Sequence, residues 1–79
     1  MQSRKAVLVM ARDRWQTIMQ GDKVKLTPRP TAPPSAPIIG TYIHAKLWNG
    51  FVAAYVIEPD HKGLQTAYPV NQWTITKED

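Results

Sequence analysis

The sequence predicts an all-β fold: a small, strongly bent barrel of about five short strands, preceded by a short helix. Three observations lead to this fold class. Five short segments between residues 22 and 76 have the alternating or continuous apolar character of strands, and turn residues separate them. The chain has 79 residues, which leaves room for one domain. Small barrels of this kind curl and close to hide their strand edges.

Residues 1–12 are predicted to form an N-terminal arm. The apolar stretch Ala6–Ala11 follows the basic pair Arg4-Lys5, as in a secretory signal, but charges resume at Arg12. The stretch is shorter than the apolar region of a signal peptide. We therefore expect a short strand or a flexible arm, and a cytoplasmic protein, which agrees with the absence of cysteine.

Residues 13–20 are predicted to form the short helix. Asp13-Arg14-Trp15-Gln16 has the pattern of a capping box, with an acidic N-cap and a glutamine three residues later. Trp15, Ile18 and Met19 then follow at helical spacing, and Gly21 stands where a helix C-terminus favours glycine. Two turns of helix with one apolar face are expected.

The barrel is predicted to span residues 21–79. Asp22–Leu26 alternates polar and apolar side chains, as in a half-buried strand. The segment 27–37 contains five prolines in eleven residues, and proline cannot donate to a β-ladder. This segment is expected to be a stiff, extended connector, or alternatively a ligand for an aromatic-lined groove.

Four further strands are predicted downstream, and one glycine is expected to distort the first of them. Gly40 indicates a bulge or sharp bend, and Asn49-Gly50 is a strong signal for a tight hairpin. Phe51–Ile57 is apolar on both faces, which is typical of a central strand or a subunit contact. The four segments are Ile38–Leu47, Phe51–Ile57, Leu64–Tyr68 and Trp73–Thr76.

Charge is unevenly distributed along the chain, whose formal net charge is +4. Residues 1–46 carry eight Lys or Arg against two Asp, whereas residues 47–79 carry two Lys against four Asp or Glu. A basic half attracts polyanions or phosphorylated ligands through a field that does not depend on sequence. A solubilising surface is the alternative interpretation of the same charges.

The residue types give little support for catalysis or metal binding. There is no cysteine, and the serines Ser3 and Ser35 lie in the N-terminal arm and the proline-rich loop, where a nucleophile would not be held rigidly. His44 and His61 are too few for a structural zinc site. A chain this small without disulfides or metal usually gains stability by oligomerisation. Seven aromatic residues are expected mostly in the core or at subunit contacts, with one or two left to stack on a planar ligand.

Four segments together resemble a known family. They are Gly21-Asp22-Lys23-Val24, Ile38-Ile39-Gly40-Thr41-Tyr42, Gly50-Phe51 and Gly63-Leu64-Gln65-Thr66-Ala67-Tyr68-Pro69-Val70. In order and approximate spacing they resemble the type II dihydrofolate reductases, the small plasmid- and integron-borne trimethoprim-resistance enzymes with an SH3-like barrel. The resemblance covers about residues 21–75. The glutamine followed by Tyr-Pro-Val is its most specific part.

The resemblance implies a homotetramer whose central pore holds NADPH and dihydrofolate side by side. Gln65 and Tyr68 match the pore glutamine and tyrosine, and Lys25 lies next to Leu26, which occupies the position of the pore lysine. Leu64-Gln65-Thr66-Ala67-Tyr68 is one residue longer than the family's pore strand. Because side chains alternate along a strand, the extra residue turns Gln65 or Tyr68 to the other face unless a bulge absorbs it.

Two functions follow from these observations. The first is a non-catalytic, homo-oligomeric binding module, from a mobile element or phage, that recognises an anionic ligand (nucleotide or nucleic acid) or a protein partner. Its expected ligand-binding residues are Lys23, Lys25, Arg29, Tyr42 and Thr66. The alternative is a trimethoprim-insensitive, NADPH-dependent dihydrofolate reductase, with Gln65 and Tyr68 as catalytic residues. Neither function requires a metal or a membrane.

Overall fold

A computed structural model describes residues 6–11 and 14–78 of the chain and shows an all-β protein. Nothing in these two ranges could cross a membrane as a helix, because they contain no helix at all. The seven strands found there are β1 (Ala6–Ala11), β2 (Arg14–Met19), β3 (Lys23–Pro28), β4 (Ile38–Trp48), β5 (Phe51–Pro59), β6 (Thr66–Pro69) and β7 (Trp73–Lys77).

The strands form two sheets, and all of their pairings are antiparallel. The larger sheet has five strands in the order β6-β5-β4-β3-β7. Strands β3 to β6 pair consecutively as a meander, and the last strand, β7, pairs with β3, the first strand of that meander. The smaller sheet is the hairpin β1–β2, which packs against β4 and β7 without pairing with them. One hydrogen bond, from the Lys77 backbone N–H to Gln16 Oε1 (3.2 Å), ties this hairpin to β7.

The predicted helix at residues 13–20 is wrong, because residues 14–19 form strand β2. Val7 and Val9 alternate along β1, and this strand pairs with β2 so that Val7 lies opposite Ile18. Ile18 is fully buried, whereas Trp15, three residues earlier, is exposed, as the period of a strand requires. The residues expected on one helix face therefore lie on opposite faces of the β1–β2 hairpin, with Ile18 on the buried face and Trp15 on the exposed face. The predicted N-cap, Asp13, lies outside the described residues.

The five predicted strands of the larger sheet are confirmed within about two residues at their ends, and the Asn-Gly hairpin is confirmed by its backbone. Asn49 and Gly50 have φ angles of 52° and 81°, the left-handed pair that a two-residue turn of the primed type needs. No distortion occurs at Gly40 itself, which pairs in register with Val24 and Pro59. The β4–β5 register shifts instead at two later points, between Tyr42 and His44 and between Lys46 and Leu47.

Gly40 serves close packing rather than a bulge. A Cβ placed on Gly40 would lie 2.7 Å from the Glu58 carbonyl oxygen and 2.9 Å from Pro59 Cα, both backbone atoms of the neighbouring strand. The absence of a side chain therefore lets β4 and β5 approach closely at this position.

The hydrophobic core lies between the inner face of the larger sheet and the β1–β2 hairpin. Its members alternate along their strands, as in a sheet with one buried face. Tyr68 on β6 and Trp73 on β7 meet edge to face across it, with ring centroids 5.2 Å apart and planes at 79°. The buried cluster comprises Val7, Val9, Ile18, Val24, Leu26, Tyr42, Tyr55, Ile57, Tyr68, Trp73 and Ile75.

The proline-rich loop that joins β3 to β4 is fixed at its start and exposed beyond it. A β-turn is closed by the hydrogen bond from Ala32 N–H to the Arg29 carbonyl (3.0 Å), and Thr31 Oγ1 donates to the Asn71 carbonyl (2.6 Å). Residues 33–37 continue exposed to β4. This arrangement agrees with the predicted connector.

Candidate anion-binding cleft

A cleft of about 260 Å³ lies between the β1–β2 hairpin and the larger sheet. Most of its lining residues are apolar and come from β1, Val52 and Ile75, although polar atoms form the larger part of its exposed surface. Three of its lining residues bear groups that recognise ligands: Trp15, Arg29 and Tyr55. Apolar residues with a few converging polar groups are typical of small-ligand sites.

Arg29 stands at the end of β3, where the chain leaves the sheet for the proline-rich loop. Its backbone N–H donates to the Gln72 carbonyl (2.7 Å), and its side-chain Nε donates to the Val70 carbonyl (3.1 Å). These two bonds fix the direction of the guanidinium. The side chain is exposed and has no carboxylate partner among the described residues. Its charge is therefore available to an anion.

Tyr55 forms the inner wall of the cleft. It is buried, and burial raises the pKa of its phenol above the ordinary value of 10.0. The positive charge of Arg29 acts in the opposite direction and lowers that pKa. The phenol therefore stays protonated at neutral pH, where it is able to donate a hydrogen bond beside a fixed cation.

Trp15 provides the outer aromatic wall. It lies on β2 directly opposite Met10 of β1, and its side chain is 61% exposed. An exposed indole in the same cleft as a guanidinium is suited to stacking on a planar ring. The cleft thus combines a ring surface, a positive charge and a hydroxyl donor, the three features that bind a nucleobase with its phosphate.

Among the predicted ligand-binding residues, Lys23 and Lys25 lie apart from Arg29. Both alternate on β3 with the fully buried Val24 and Leu26, so they project from the opposite, outer face of the larger sheet. Lys23 Nζ forms an ion pair with Asp60 Oδ1 at 2.8 Å. Lys25 lies opposite Ile39 and Thr76.

The predicted pore residues of β6 lie in different environments. Tyr68 is buried and packs on Trp73, and burial raises the pKa of its phenol. Gln65 is exposed and precedes the strand. Thr66 opens the strand opposite Ile57, and its hydroxyl donates to the Leu64 carbonyl (3.2 Å). The structure therefore does not bring Gln65 and Tyr68 onto one open surface of this chain.

Tyr42 is a core residue in this structure. Its side chain is fully buried, and its hydroxyl is the one buried side-chain polar atom in the described ranges that has no hydrogen-bond partner. Burial raises the pKa of this phenol, and Tyr55 adds to the rise. Tyr42 also lines a second cleft of about 240 Å³ on the other side of β1, which shares Val7 and Val52 with the Arg29 cleft.

A larger cleft, of about 450 Å³, lies under the proline-rich loop and is lined by residues 35–39 with Asp60 and His61. Its acidic lining residue is Asp60, whose carboxylate is already paired with Lys23. A carboxylate at the wall does not favour an anion. We therefore take the smaller Arg29 cleft as the candidate site.

The sequence predicts Arg29 as a ligand-binding residue but gives no indication that Trp15 and Tyr55 line the same cleft. Its pattern predicts Trp15 on the apolar face of a helix, and nothing in it distinguishes Tyr55 from the other aromatic residues that are expected in the core. Strand alternation across β1 and β2 was the signal that would have separated Trp15 from Ile18. No sequence pattern within a single segment indicates that residues from β2, β3 and β5 meet at one cleft, because these segments are remote from one another in the chain.

No group of three metal-ligating side chains is close enough to hold a metal ion within the described ranges. Comparisons with known proteins give no further identification: the chain matches no protein-family model, no curated protein and no solved structure.

Proposed function

We propose that this chain is a non-catalytic binding module that recognises an anionic, ring-containing ligand, a nucleotide or nucleic acid, through the Arg29 cleft. The observation that carries the proposal is the convergence of Trp15, Arg29 and Tyr55 on one cleft. The formal net charge of +4 supports it, because a basic protein attracts polyanions at long range. The residues supply a ring surface, a cation and a hydroxyl, but no nucleophile or paired acid and base.

We also propose that the larger sheet closes as an SH3-like barrel. The return of β7 to pair with β3 supports this, because it curls the meander back on its own first strand. The contact of Tyr68 with Trp73 supports it as well, since these rings come from the two edge strands of the sheet. The β1–β2 hairpin would then cover one opening of the barrel.

The module is further proposed to act as a homo-oligomer. The outer face of the β1–β2 hairpin exposes Leu8 and Met10 beside Trp15, although its inner face already lies on the core. A two-stranded sheet that is apolar on both faces gains stability when another surface covers the second face. Because Leu8, Met10 and Trp15 also line the Arg29 cleft, a second copy on this face would form part of the wall of the cleft.

The proposed function is tested by fluorescence anisotropy with labelled nucleotides and oligonucleotides over a series of salt concentrations. Replacing Arg29 with Gln removes the cation of the cleft, and we expect about tenfold weaker binding and a shallower salt dependence. Lys62→Gln is the matched control, because it removes one positive charge from an exposed turn outside the cleft. This control should bind within about twofold of the unmodified chain.

Two results would contradict the proposal. One is the absence of binding to every tested polyanion at low salt. The other is equal weakening by Arg29→Gln and Lys62→Gln, which would mean that only the net charge matters and that the cleft is not the site. Circular dichroism of both variants establishes that the sheets are intact.

One feature supports the alternative, a type II dihydrofolate reductase. Strand β6 corresponds to the pore strand of that family, and it lies at the edge of the larger sheet, where another subunit could meet it. The reductase requires a tetramer, with Gln65 and Tyr68 in the pore, Lys25 attracting the ligands and NADPH as the cofactor. Loss of NADPH absorbance on addition of dihydrofolate, in the presence of trimethoprim, would establish it. A monomeric mass in solution would exclude it, because that pore exists only between subunits.

A further inference from the structure

Strands β4 and β5 extend as a two-stranded arm beyond the rest of the larger sheet. β3 pairs with β4 only from Ile38 to Thr41, and β6 pairs with β5 only from Ala54 to Ile57. Residues 45–53, here called the arm, therefore pair only within the β4–β5 hairpin, and the Val70 N–H donates to the Ala53 carbonyl (3.0 Å) at the base of the arm. The protein measures 41 × 26 × 25 Å, an elongated shape for a chain of this size.

The tip of the arm exposes two aromatic rings. Trp48 and Phe51 lie opposite each other across the Asn49-Gly50 turn and are 72% and 77% exposed. Exposed rings at the end of a hairpin contribute nothing to the core of the same chain. Adjacent exposed rings at this position therefore indicate a surface for a partner.

The charge around these rings selects the kind of partner. Between Ile38 and Ile57 the sequence contains no acidic residue, and its one lysine is Lys46. Lys46 lies two residues before Trp48 on β4, and both residues are exposed. A positive charge next to two rings, with no carboxylate nearby, is complementary to a polyanion that also presents flat rings.

The arm begins where the Arg29 cleft ends. Val52 lies opposite Leu47 in the arm and also lines the cleft, next to Tyr55. The cleft, at about 260 Å³, has room for roughly one nucleobase with its phosphate. A ligand longer than one nucleotide would therefore pass from the cleft onto the arm.

We infer that the ligand class is single-stranded nucleic acid, with its bases stacking on Trp48 and Phe51 and its backbone contacting Lys46. This inference rests on the proposed function, since one nucleotide of the same strand occupies the Arg29 cleft. Single strands fit this surface because their bases are open for stacking, whereas the bases of a duplex are paired and stacked on one another. Stacking accepts every base, so the arm is expected to bind without strong sequence preference.

The test is anisotropy with labelled oligothymidylates of about four to sixteen nucleotides, compared with a mononucleotide. Affinity should rise with length for the unmodified chain. Trp48→Ala and Phe51→Ala should each weaken oligonucleotide binding by about five- to a hundredfold, while mononucleotide binding stays unchanged. Leu64→Ala is the matched control, because Leu64 is equally apolar and 71% exposed but lies in the turn before β6. Trp48→Phe, which keeps a ring, should retain most of the affinity.

Three outcomes would overturn the inference. If mononucleotides bind at the cleft but affinity does not rise with length, the proposed function survives and the arm is not a nucleic-acid surface. If Trp48→Ala lowers the oligomeric mass in light scattering and leaves oligonucleotide affinity unchanged, the arm is a contact between copies of the chain. If neither mononucleotides nor oligonucleotides bind, the proposed function fails together with the inference. Thermal melting of each variant, including Trp48→Phe, confirms that the chain is folded in every comparison.

Discussion

The two hairpins of this protein, β1–β2 and β4–β5, both expose apolar side chains, but they stand in different relations to the core. The β1–β2 hairpin places Val7, Val9 and Ile18 in the buried cluster. The arm of the β4–β5 hairpin only contacts that cluster, through the partly buried Val52. The first hairpin therefore covers the sheet and also lines the Arg29 cleft, whereas the end of the second adds nothing to the core and is free to bind. The predictions below test this separation of stability from binding.

The largest effect is expected where the first hairpin enters the core. Ile18→Ala removes a fully buried side chain, and we expect a loss of about 2–5 kcal/mol in the free energy of unfolding. Phe51→Ala, in the arm, should change that free energy by less than about 0.5 kcal/mol. Urea denaturation of both variants measures the difference. Equal losses would show that the arm is part of the folding unit, and the separation of roles would be wrong.

Two glycines of the β4–β5 hairpin distinguish its base from its tip. Gly40, at the base, is required for close packing of the strands, whereas Gly50, at the tip, is required for a positive φ. Gly40→Ala places a Cβ within 2.9 Å of backbone atoms of β5, and we expect a loss of about 1–3 kcal/mol because the strands must separate. Gly50→Ala meets no atom within 4 Å but has a φ of +81°, so its cost should be about 1 kcal/mol of local strain.

Gly50→Asn is the control, since asparagine tolerates positive φ and should cost less than alanine at the tip. Thermal unfolding measures all three variants. If Gly50→Ala proved more costly than Gly40→Ala, the turn rather than the packing at the base would dominate the hairpin.

Alkaline pH should destabilise the core half of the molecule and leave the arm without a direct effect. Burial raises the pKa values of Tyr42, Tyr55 and Tyr68 above their ordinary value of 10.0, whereas the same phenols titrate near that value in the unfolded chain. The unfolded state therefore releases protons first as the pH rises. The buried, protonated phenols therefore contribute fully to the free energy of unfolding below about pH 10, and this contribution is lost as the pH rises through their folded-state pKa values.

Unfolding midpoints measured at a series of alkaline pH values, with tyrosinate absorbance as the probe, should fall above about pH 10. A midpoint that stays constant while all three phenols titrate at their ordinary value would show that they are solvated, in conflict with their burial.

The smallest effect is expected at Tyr42, and it should differ in kind from the effect at Tyr55. Tyr42→Phe removes a buried hydroxyl without a hydrogen-bond partner, so stability should stay within about 1 kcal/mol or rise slightly. Tyr55→Phe should also leave stability nearly unchanged but weaken ligand binding, because Tyr55 lines the Arg29 cleft and the change removes its hydroxyl donor. Calorimetric unfolding and anisotropy separate the two variants. A loss of about 2 kcal/mol or more in Tyr42→Phe would mean that the hydroxyl has a strong partner.

Most of the larger sheet was predictable because its signals are local. Alternation over residues 22–26 and the Asn-Gly turn both act between near neighbours in the chain, and the proline-rich loop excludes a ladder by its chemistry alone. The helix prediction failed because the spacing of Trp15, Ile18 and Met19 is compatible with a helix as well as with a strand. Only the pairing of β2 with β1 decides between the two, and pairing is a property of two segments.

The candidate site was predictable only in part, for the same reason. Arg29 was predicted as a ligand-binding residue along with Lys23 and Lys25, since all three are cations in the basic half of the chain. The turn of the chain after Pro28 sends Arg29 to the cleft, while the strand geometry of β3 keeps the two lysines on the outer face. Which cations converge with which rings depends on distances between strands that are remote in sequence.

By itself, the sequence determined that this chain is rich in strands, with a tight turn at Asn49-Gly50 and a positive charge concentrated before residue 47. Those properties follow from residue chemistry over a few positions. Tertiary structure alone decided that residues 14–19 extend beside β1, that Tyr42, Tyr55, Tyr68 and Trp73 fill the core, and that Trp15, Trp48 and Phe51 remain exposed. The physical reason is that a ring is buried or exposed according to which strand covers it, and the covering strand is set by the packing of the whole chain.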